Sequence, residues 1–229
     1  MWIVKPHAAS RGKGIFLVSL VPHHASQIDN ISEAPIDEYC VVSRYINNPL
    51  LINSLKFDLR IYVLVTSFDP LRVYVYDEGL ARFASEAYNP NVGAKGHKYS
   101  YLTNYSINKK NDKFIYNTNA ESDDQGNKWS LSALCKHLEQ IGVDMGLLWS
   151  RIYDVIIKSL LSVEGHITSA IKKSVAYRTN CFEILGYDII VDSDLKYRAP
   201  LTPTQALAAR GQPLALAHVR HAARHAHQG

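Results

Sequence analysis

The stretch that most constrains the fold of this chain is Ser43 to Val65, SRYINNPLLINSLKFDLRIYVLV. Lys56, Asp58 and Arg60 occupy every second position ahead of the apolar run Ile61 to Val65. That alternation predicts a strand with three charges on one face and Phe57, Leu59 and Ile61 on the other. Such a strand is either the solvated edge of a sheet or the floor of a cleft. In a cleft, two cations and one anion in an apolar frame suit a polyphosphate or a nucleotide. Upstream, Tyr39 to Ile46 reads as another strand, and Asn47-Asn48-Pro49 breaks regular structure between the two.

The remaining elements follow from pattern. Trp2 to Pro6 and Ile15 to Leu20 read as strands joined by the basic, glycine-rich turn Ser10-Arg11-Gly12-Lys13-Gly14. That turn is either a solvated hairpin or a flap that lays N–H groups and cations over phosphates. It is not a Walker loop, which needs G-x-x-x-x-G-K-[ST] opening a helix. His23 to Glu38 reads as a surface loop. Asp69-Pro70 predicts a turn, Arg72 to Tyr76 an antiparallel return, Asp77-Glu78-Gly79 a second turn, and Leu80 to Ala84 a further strand. Arg82, between apolar neighbours, is either a snorkelling surface residue or a carboxylate receptor.

Glu86 to Tyr99 reads as loop, and Leu102 to Lys110 packs amides, hydroxyls and amines densely enough for a site loop or a capped turn. Asn111 to Asn127 is polar and acidic and predicts a mobile segment. Trp129 to Ile141 and Leu147 to Ile171 carry apolar residues at helical spacing and predict core-facing helices. Cys181 to Asp192 predicts a buried strand.

Composition narrows the class. Of the 229 residues 47% are hydrophobic, enough to bury a core. The net charge of +4 is concentrated in the last 31 residues, which hold three Arg and no acid. The remainder has 22 basic against 21 acidic residues, so charge gives no argument for nucleic acid. Three widely spaced cysteines without a CxxC suggest neither a zinc site nor a disulfide framework, and a reducing, cytoplasmic compartment fits them. No apolar run reads as a membrane span. Residues 199–229, rich in Ala, His, Pro and Arg, predict an unrelated, disordered C-terminal tail.

Taken together, WIVKP, SRGKG, VVSRYINNPLLI, KFDLRIYVLVTSFDPLRVY, EGLARFA, LTNYSINKK, NKWS and CFEILGYDIIVD resemble the tubulin tyrosine ligase-like family, in its glutamylase branch. The resemblance runs from Trp2 to about Lys196 and keeps the family's motif order. It implies an α+β, ATP-grasp-like fold over residues 1–198, here incomplete, with an adenine hinge near 43–46. It implies an ATP- and Mg²⁺-dependent ligase acting on tubulin and microtubules with free L-glutamate, and no nucleic-acid or membrane partner. The implied location is the cytoplasmic cytoskeleton, including the cilium or basal body.

Carried over by position, the resemblance implies that Lys5 contacts the ATP phosphates and that Arg11 and Gly12 form the phosphate flap. Ser43, Arg44, Tyr45 and Ile46 match the adenine hinge. Lys56, Phe57, Asp58, Thr103 and Asn104 match further nucleotide contacts. Arg82, Tyr105, Ser106 and Lys128 match positions that hold the incoming amino acid, and Asp188 matches a magnesium ligand. Lys5, Arg82 and Asn104 are the implied catalytic residues. Lys5, Lys56, Arg82, Asn104 and Asp188 are therefore expected to converge on one cleft.

The sequence also departs from the family. Tyr101 and Leu102 stand where a histidine is common before LTNY. The lobe that precedes WIVKP in the family is not present, so the chain reads as beginning mid-domain. After Lys196 the family has Pro-Trp and then a strand ending in a magnesium-binding Glu-x-Asn. Here Leu201 and Pro203 fall in that register, and neither side chain ligates a hard cation. Two readings follow: a tubulin polyglutamylase, or a catalytically inactive chain that binds nucleotide or tubulin at most.

Overall fold

The computed structural model describes residues 1–6, 14–18, 40–90, 98–118, 122–177, 180–194, 197–198 and 218–221. The loop expected over His23 to Glu38 and the turn carrying Arg11 and Gly12 lie outside them.

Two sheets form. The smaller has the order β2-β1-β3, with β1 (Trp2–Pro6) between β2 (Phe16–Val18) and β3 (Cys40–Arg44), all antiparallel. The larger is built on β5 (Leu55–Phe68), which pairs antiparallel with β6 (Leu71–Phe83) on one side and β8 (Glu183–Val191) on the other. Short strands β4 (Leu51–Ile52), β7 (Lys128–Ser130) and β9 (Tyr197–Arg198) extend it. Of residues 199–229, the structure describes β10 (His218–His221), which lies parallel to Arg72–Val75 of β6.

Helix α3 (Leu131–Gln140) and the long helix α4 (Met145–Ser174) cover one face of the larger sheet. Phe57, Leu59, Ile61, Ala81, Phe83 and Ile189 point into this layer from the strands. Leu134, Leu138, Ile152 and Ile156 meet them from the helices. The helical spacing is the cause: residues three and four apart share one stripe, and burying that stripe outweighs the modest propensity of so many β-branched residues. Ser130 and Asp144 cap the two helices, accepting from the Ala133 and Leu147 amides at 3.1 and 2.9 Å.

Four local readings change. Asp77-Glu78-Gly79 is not a turn; β6 runs unbroken to Phe83, with an irregularity in which Tyr62 alone faces Tyr76 to Glu78. Gly79 permits this: a Cβ there would lie 2.3 Å from the Arg60 carbonyl oxygen. Glu78 also has work elsewhere, because its Oε1 accepts from the Leu131 and Ser132 amides at 2.8 and 3.1 Å and so closes the start of α3. Trp129 belongs to β7 rather than to a helix, since its backbone pairs with Ala81. The strand over Cys181 to Asp192 is buried only in its second half; Phe182 and Ile184 are 68% and 62% exposed. The described parts of Asn111 to Asn127 are tied at their ends, with Ile115 and Asn127 exchanging backbone and side-chain hydrogen bonds of 3.0 and 2.8 Å. Two helices of a single turn, α1 (Lys98–Tyr101) and α2 (Tyr105–Asn108), flank Leu102 to Asn104.

Leu134→Ala or Ile152→Ala, each at a fully buried position, is expected to cost about 2–5 kcal/mol in a denaturant titration. The Glu78 cap makes stability depend on pH. Partial burial raises its carboxyl, but the hydrogen bonds from Gly79, Ser132 and Leu131 outweigh that and hold it below the usual glutamate value. Stability from the cap is present above the unfolded glutamate pKa and lost as pH falls through the lower folded one. Glu78→Gln should therefore flatten the acid limb of a stability–pH curve; an unchanged limb would remove Glu78 from that role.

Candidate functional site

The other face of the larger sheet carries the charges. Register places Asp58 opposite Arg82, and Arg82 opposite Lys128 on β7; Arg60 faces Asp188 on β8. Directly opposed residues share a face, so one surface collects Lys56, Asp58, Arg60, Arg82, Lys128 and Asp188.

Arg82 is the centre. Its Nε donates to Asp58 Oδ1 at 2.8 Å and its Nη2 to Asp58 Oδ2, a two-pronged contact, while Nη2 also lies 2.8 Å from Asp188 Oδ1. Arg60 Nε donates to the same Asp188 oxygen at 2.5 Å. Gly186 makes room for that arginine: a Cβ there would sit 3.1 Å from Arg60 Nη1. Asp58 is 5% exposed. Burial pushes its carboxyl up, and the Arg82 guanidinium and a Thr103 hydrogen bond oppose that rise, which Asp188 reinforces, without cancelling it. A bidentate guanidinium favours the carboxylate form.

Lys56 is 3% exposed. Its Nζ donates to the Tyr101 carbonyl at 2.9 Å and the Tyr45 hydroxyl at 3.1 Å, and stands 4.6 Å from the centre of the Tyr45 ring. Burial pushes this lysine down to about 8, with Asp58 opposing the shift and Lys5 reinforcing it. Lys5, half-buried on β1, is likewise lowered by burial and partly restored by Asp188. Lys5 of the smaller sheet thus lies within electrostatic reach of Lys56 and Asp188.

Of the residues singled out by sequence, Lys5, Tyr45, Lys56, Asp58, Arg82, Thr103 and Asp188 are thus joined by contact or field, and Lys128 by register. Asn104, directly after Thr103, gives its carbonyl to the Ile107 and Asn108 amides at 3.0 Å each, and its side chain makes no capping hydrogen bond to α2. Tyr105 and Ser106 follow on α2; Tyr105 is exposed, its ring edge-on to Phe114 and 5.3 Å from Lys109 Nζ. Ser43 and Arg44 lie on β3 opposite Ile3 and Trp2, with Ile46 just beyond. Phe57 does not share the charged face: its ring is in the core, 5.5 Å from that of Phe83. Arg11 and Gly12 lie outside the described residues. The alternation signals Arg60 on the charged face, but its bond to Asp188 is not legible in sequence.

The arrangement leaves cations in excess on a half-buried surface, where they attract phosphate or carboxylate oxygens more strongly than in water. Arg82→Met strands the buried Asp58 carboxylate and is expected to cost about 3–5 kcal/mol. Adding Asp58→Asn should recover much of that loss, and a double-mutant cycle by denaturation measures the difference. Simple additivity would show that the two do not depend on each other.

The profile of the Tubulin-tyrosine ligase family matches residues 1–198. The chain is 46% identical over 195 residues to the tubulin polyglutamylase TTLL5 of Homo sapiens, covering 85% of this chain and 14% of that protein. It is 45% identical over 195 residues to the human tubulin monoglutamylase TTLL4, covering 85% and 15%. It is 43% identical over 200 residues to a probable beta-tubulin polyglutamylase of Tetrahymena thermophila, covering 86% and 16%. The chain spans under a fifth of the length of each of these relatives. With the match running through every element from β1 to β9, the chain belongs to the Tubulin-tyrosine ligase family, which is ATP-grasp-like.

Proposed function

We propose that this chain supplies the nucleotide- and amino-acid-binding face of an ATP-dependent ligase that attaches glutamate to tubulin. The observation that carries this reading is the gathering of Lys56, Arg60 and Arg82 with Asp58 and Asp188 on one sheet face, with Lys5 of the smaller sheet within their electrostatic reach. The family membership and the glutamylase names of the relatives give the class of reaction.

A carboxylate does not condense with an amine at neutral pH. In the proposed reaction a glutamate side-chain carboxylate of tubulin attacks the γ-phosphorus of ATP, ADP leaves, and an acyl phosphate forms. The amine of free L-glutamate then attacks the acyl carbon; phosphate leaves, a proton is lost, and an amide remains. No side-chain nucleophile is needed. Lys5 and the flap residues Arg11 and Gly12 would offset phosphate charge, which is most of what phosphoryl transfer asks of a protein. Ser43 to Ile46 would receive adenine, and Lys56 and Asp58 with Thr103 and Asn104 the rest of the nucleotide. Arg82 would take the carboxylate of incoming glutamate, exchanging Asp188 for it, with Tyr105, Ser106 and Lys128 around the remainder. Association with the cytoskeleton, including cilia, belongs to the same proposal.

The family implies magnesium, and the described residues do not compose its site. Asp188 Oδ1 is already bonded to two guanidiniums. Among the described residues no three His, Cys, Asp or Glu side chains gather to hold a metal. Leu201 and Pro203, which lie outside the described residues, offer no side-chain oxygen. That observation favours a second reading, in which the chain binds nucleotide or tubulin without ligating glutamate.

One assay separates the two: the purified chain with ATP, Mg²⁺, labelled glutamate and microtubules. The ligase reading expects incorporation that falls by roughly 10²–10³-fold in Arg82→Ala and is abolished in Asp188→Ala. Absence of incorporation, regained when Glu-x-Asn replaces Leu201 to Pro203, selects the second. Both readings share a pH signature. Polyphosphate arriving beside Lys56 restores its charge, so nucleotide binding takes up a proton and weakens as pH rises through about 8. Calorimetry at that pH in buffers of different ionisation heat should register the uptake in the unaltered chain, and Lys56→Met should remove it.

A further inference from the structure

Two buried asparagines outside the charged network tie its segments together. Asn108 is 0% exposed. Its Oδ1 accepts from both the amide and the hydroxyl of Ser85 at 2.8 Å, and its Nδ2 donates to the carbonyls of Leu102 and Asn104 at 2.7 and 3.2 Å. Both donors and both acceptor positions of the amide are thereby used. Asn127 is also buried; its Nδ2 donates to the Ala84 carbonyl at 2.9 Å and its Oδ1 accepts from the Ile115 amide at 2.8 Å. Its backbone carbonyl accepts from the Phe83 amide at 2.9 Å, and its neighbour Lys128 faces Arg82. The Ala84 amide in turn donates to the Lys56 carbonyl at 2.8 Å. Phe83 to Ser85, the residues just past Arg82, are therefore the common anchor of three segments: β5 at Lys56, the loop from Leu102 to Asn104, and β7 at Lys128.

We infer that Asn108 and Asn127 are positioning residues, which hold the Thr103–Ser106 loop and Lys128 in register with Arg82. The inference rests on the reading that Arg82, Tyr105, Ser106 and Lys128 hold the incoming glutamate. The division of labour follows from the bonds. Asn108 fixes the loop that carries both nucleotide and amino-acid contacts. Asn127 fixes the entry to Lys128 and touches no nucleotide segment. The oxygen and nitrogen of each amide are bonded within the protein, so each acts through the backbone it holds. Aspartate is the discriminating replacement at both positions: it has the same shape and keeps an acceptor, but as carboxylate it cannot donate to the carbonyls and as neutral acid it donates only once in place of the NH₂ group.

The test measures two dissociation constants on the full chain, for a non-hydrolysable ATP analogue and for L-glutamate in its presence. Arg82→Ala serves as the control for the underlying reading. Asn108→Asp is expected to weaken both ligands about 10-fold, and Asn127→Asp to weaken glutamate about 10-fold while leaving the analogue within about 2-fold, as sub-ångström misplacement of ligand groups does. A merely structural role would lower Tm and leave both constants of the folded protein alone. Constants unchanged in both aspartate variants, with glutamate binding lost in Arg82→Ala, overturn the inference alone. Glutamate binding that survives Arg82→Ala overturns the underlying reading and the inference with it. Should either aspartate variant fail to fold, Ser85→Ala removes one donor to Asn108 and is expected to weaken both ligands about 3-fold; no change there overturns the role of Asn108. Asn127→Ser, expected to weaken glutamate alone, answers in the same way for Asn127.

Discussion

The contact on which the charged face depends is the guanidinium of Arg82 held between Asp58 and Asp188, which bridges β6 to β5 and to β8. A carboxylate as deeply buried as Asp58 is tolerated only with a partner, because removing one member of a buried pair costs several kcal/mol. The apolar residues that alternate with these charges impose the complementary condition. A slip of one residue along β5 would turn Lys56, Asp58 and Arg60 into the layer filled by α3 and α4. Ion network and hydrophobic layer thus specify the same strand register from opposite faces, and neither suffices alone, since buried ions stabilise little on their own.

On the proposed reading the same network would prepare the surface for ligands. Arg60, Arg82 and Lys56 are held by carboxylates, a carbonyl and a hydroxyl. Cations so oriented lose little conformational freedom when phosphate or carboxylate oxygens arrive, which is the sense in which a site is preorganised. Lys56 has the strongest incentive to accept an anion, because burial already disfavours its charge.

The polar loops obey a different rule. Around Phe83 to Ser85 the structure uses specific hydrogen bonds, among them those of the Asn108 and Asn127 side-chain amides. Backbone that leaves regular structure must find partners for its N–H and C=O groups. Asn108 and Asn127 meet that need where the loops approach the charged face.

By itself the sequence determined the strand over Lys56 to Val65 with its two faces, the two core helices, and the family, because each is written in local periodicity or in contiguous motifs. It misjudged Asp77 to Gly79, where a turn composition serves a strand irregularity and a helix cap. It did not show the partners of Arg82, and it gave no hydrogen-bonding role to Asn108 and Asn127. Those matters were decided by tertiary structure, for one reason: the partners lie far along the chain. Arg82 meets Asp58 across 24 residues, Asn127 meets Ala84 across 43, and Arg60 meets Asp188 across 128. Which of them face one another is set by strand register, and register emerges only when both faces of the sheet are packed at once.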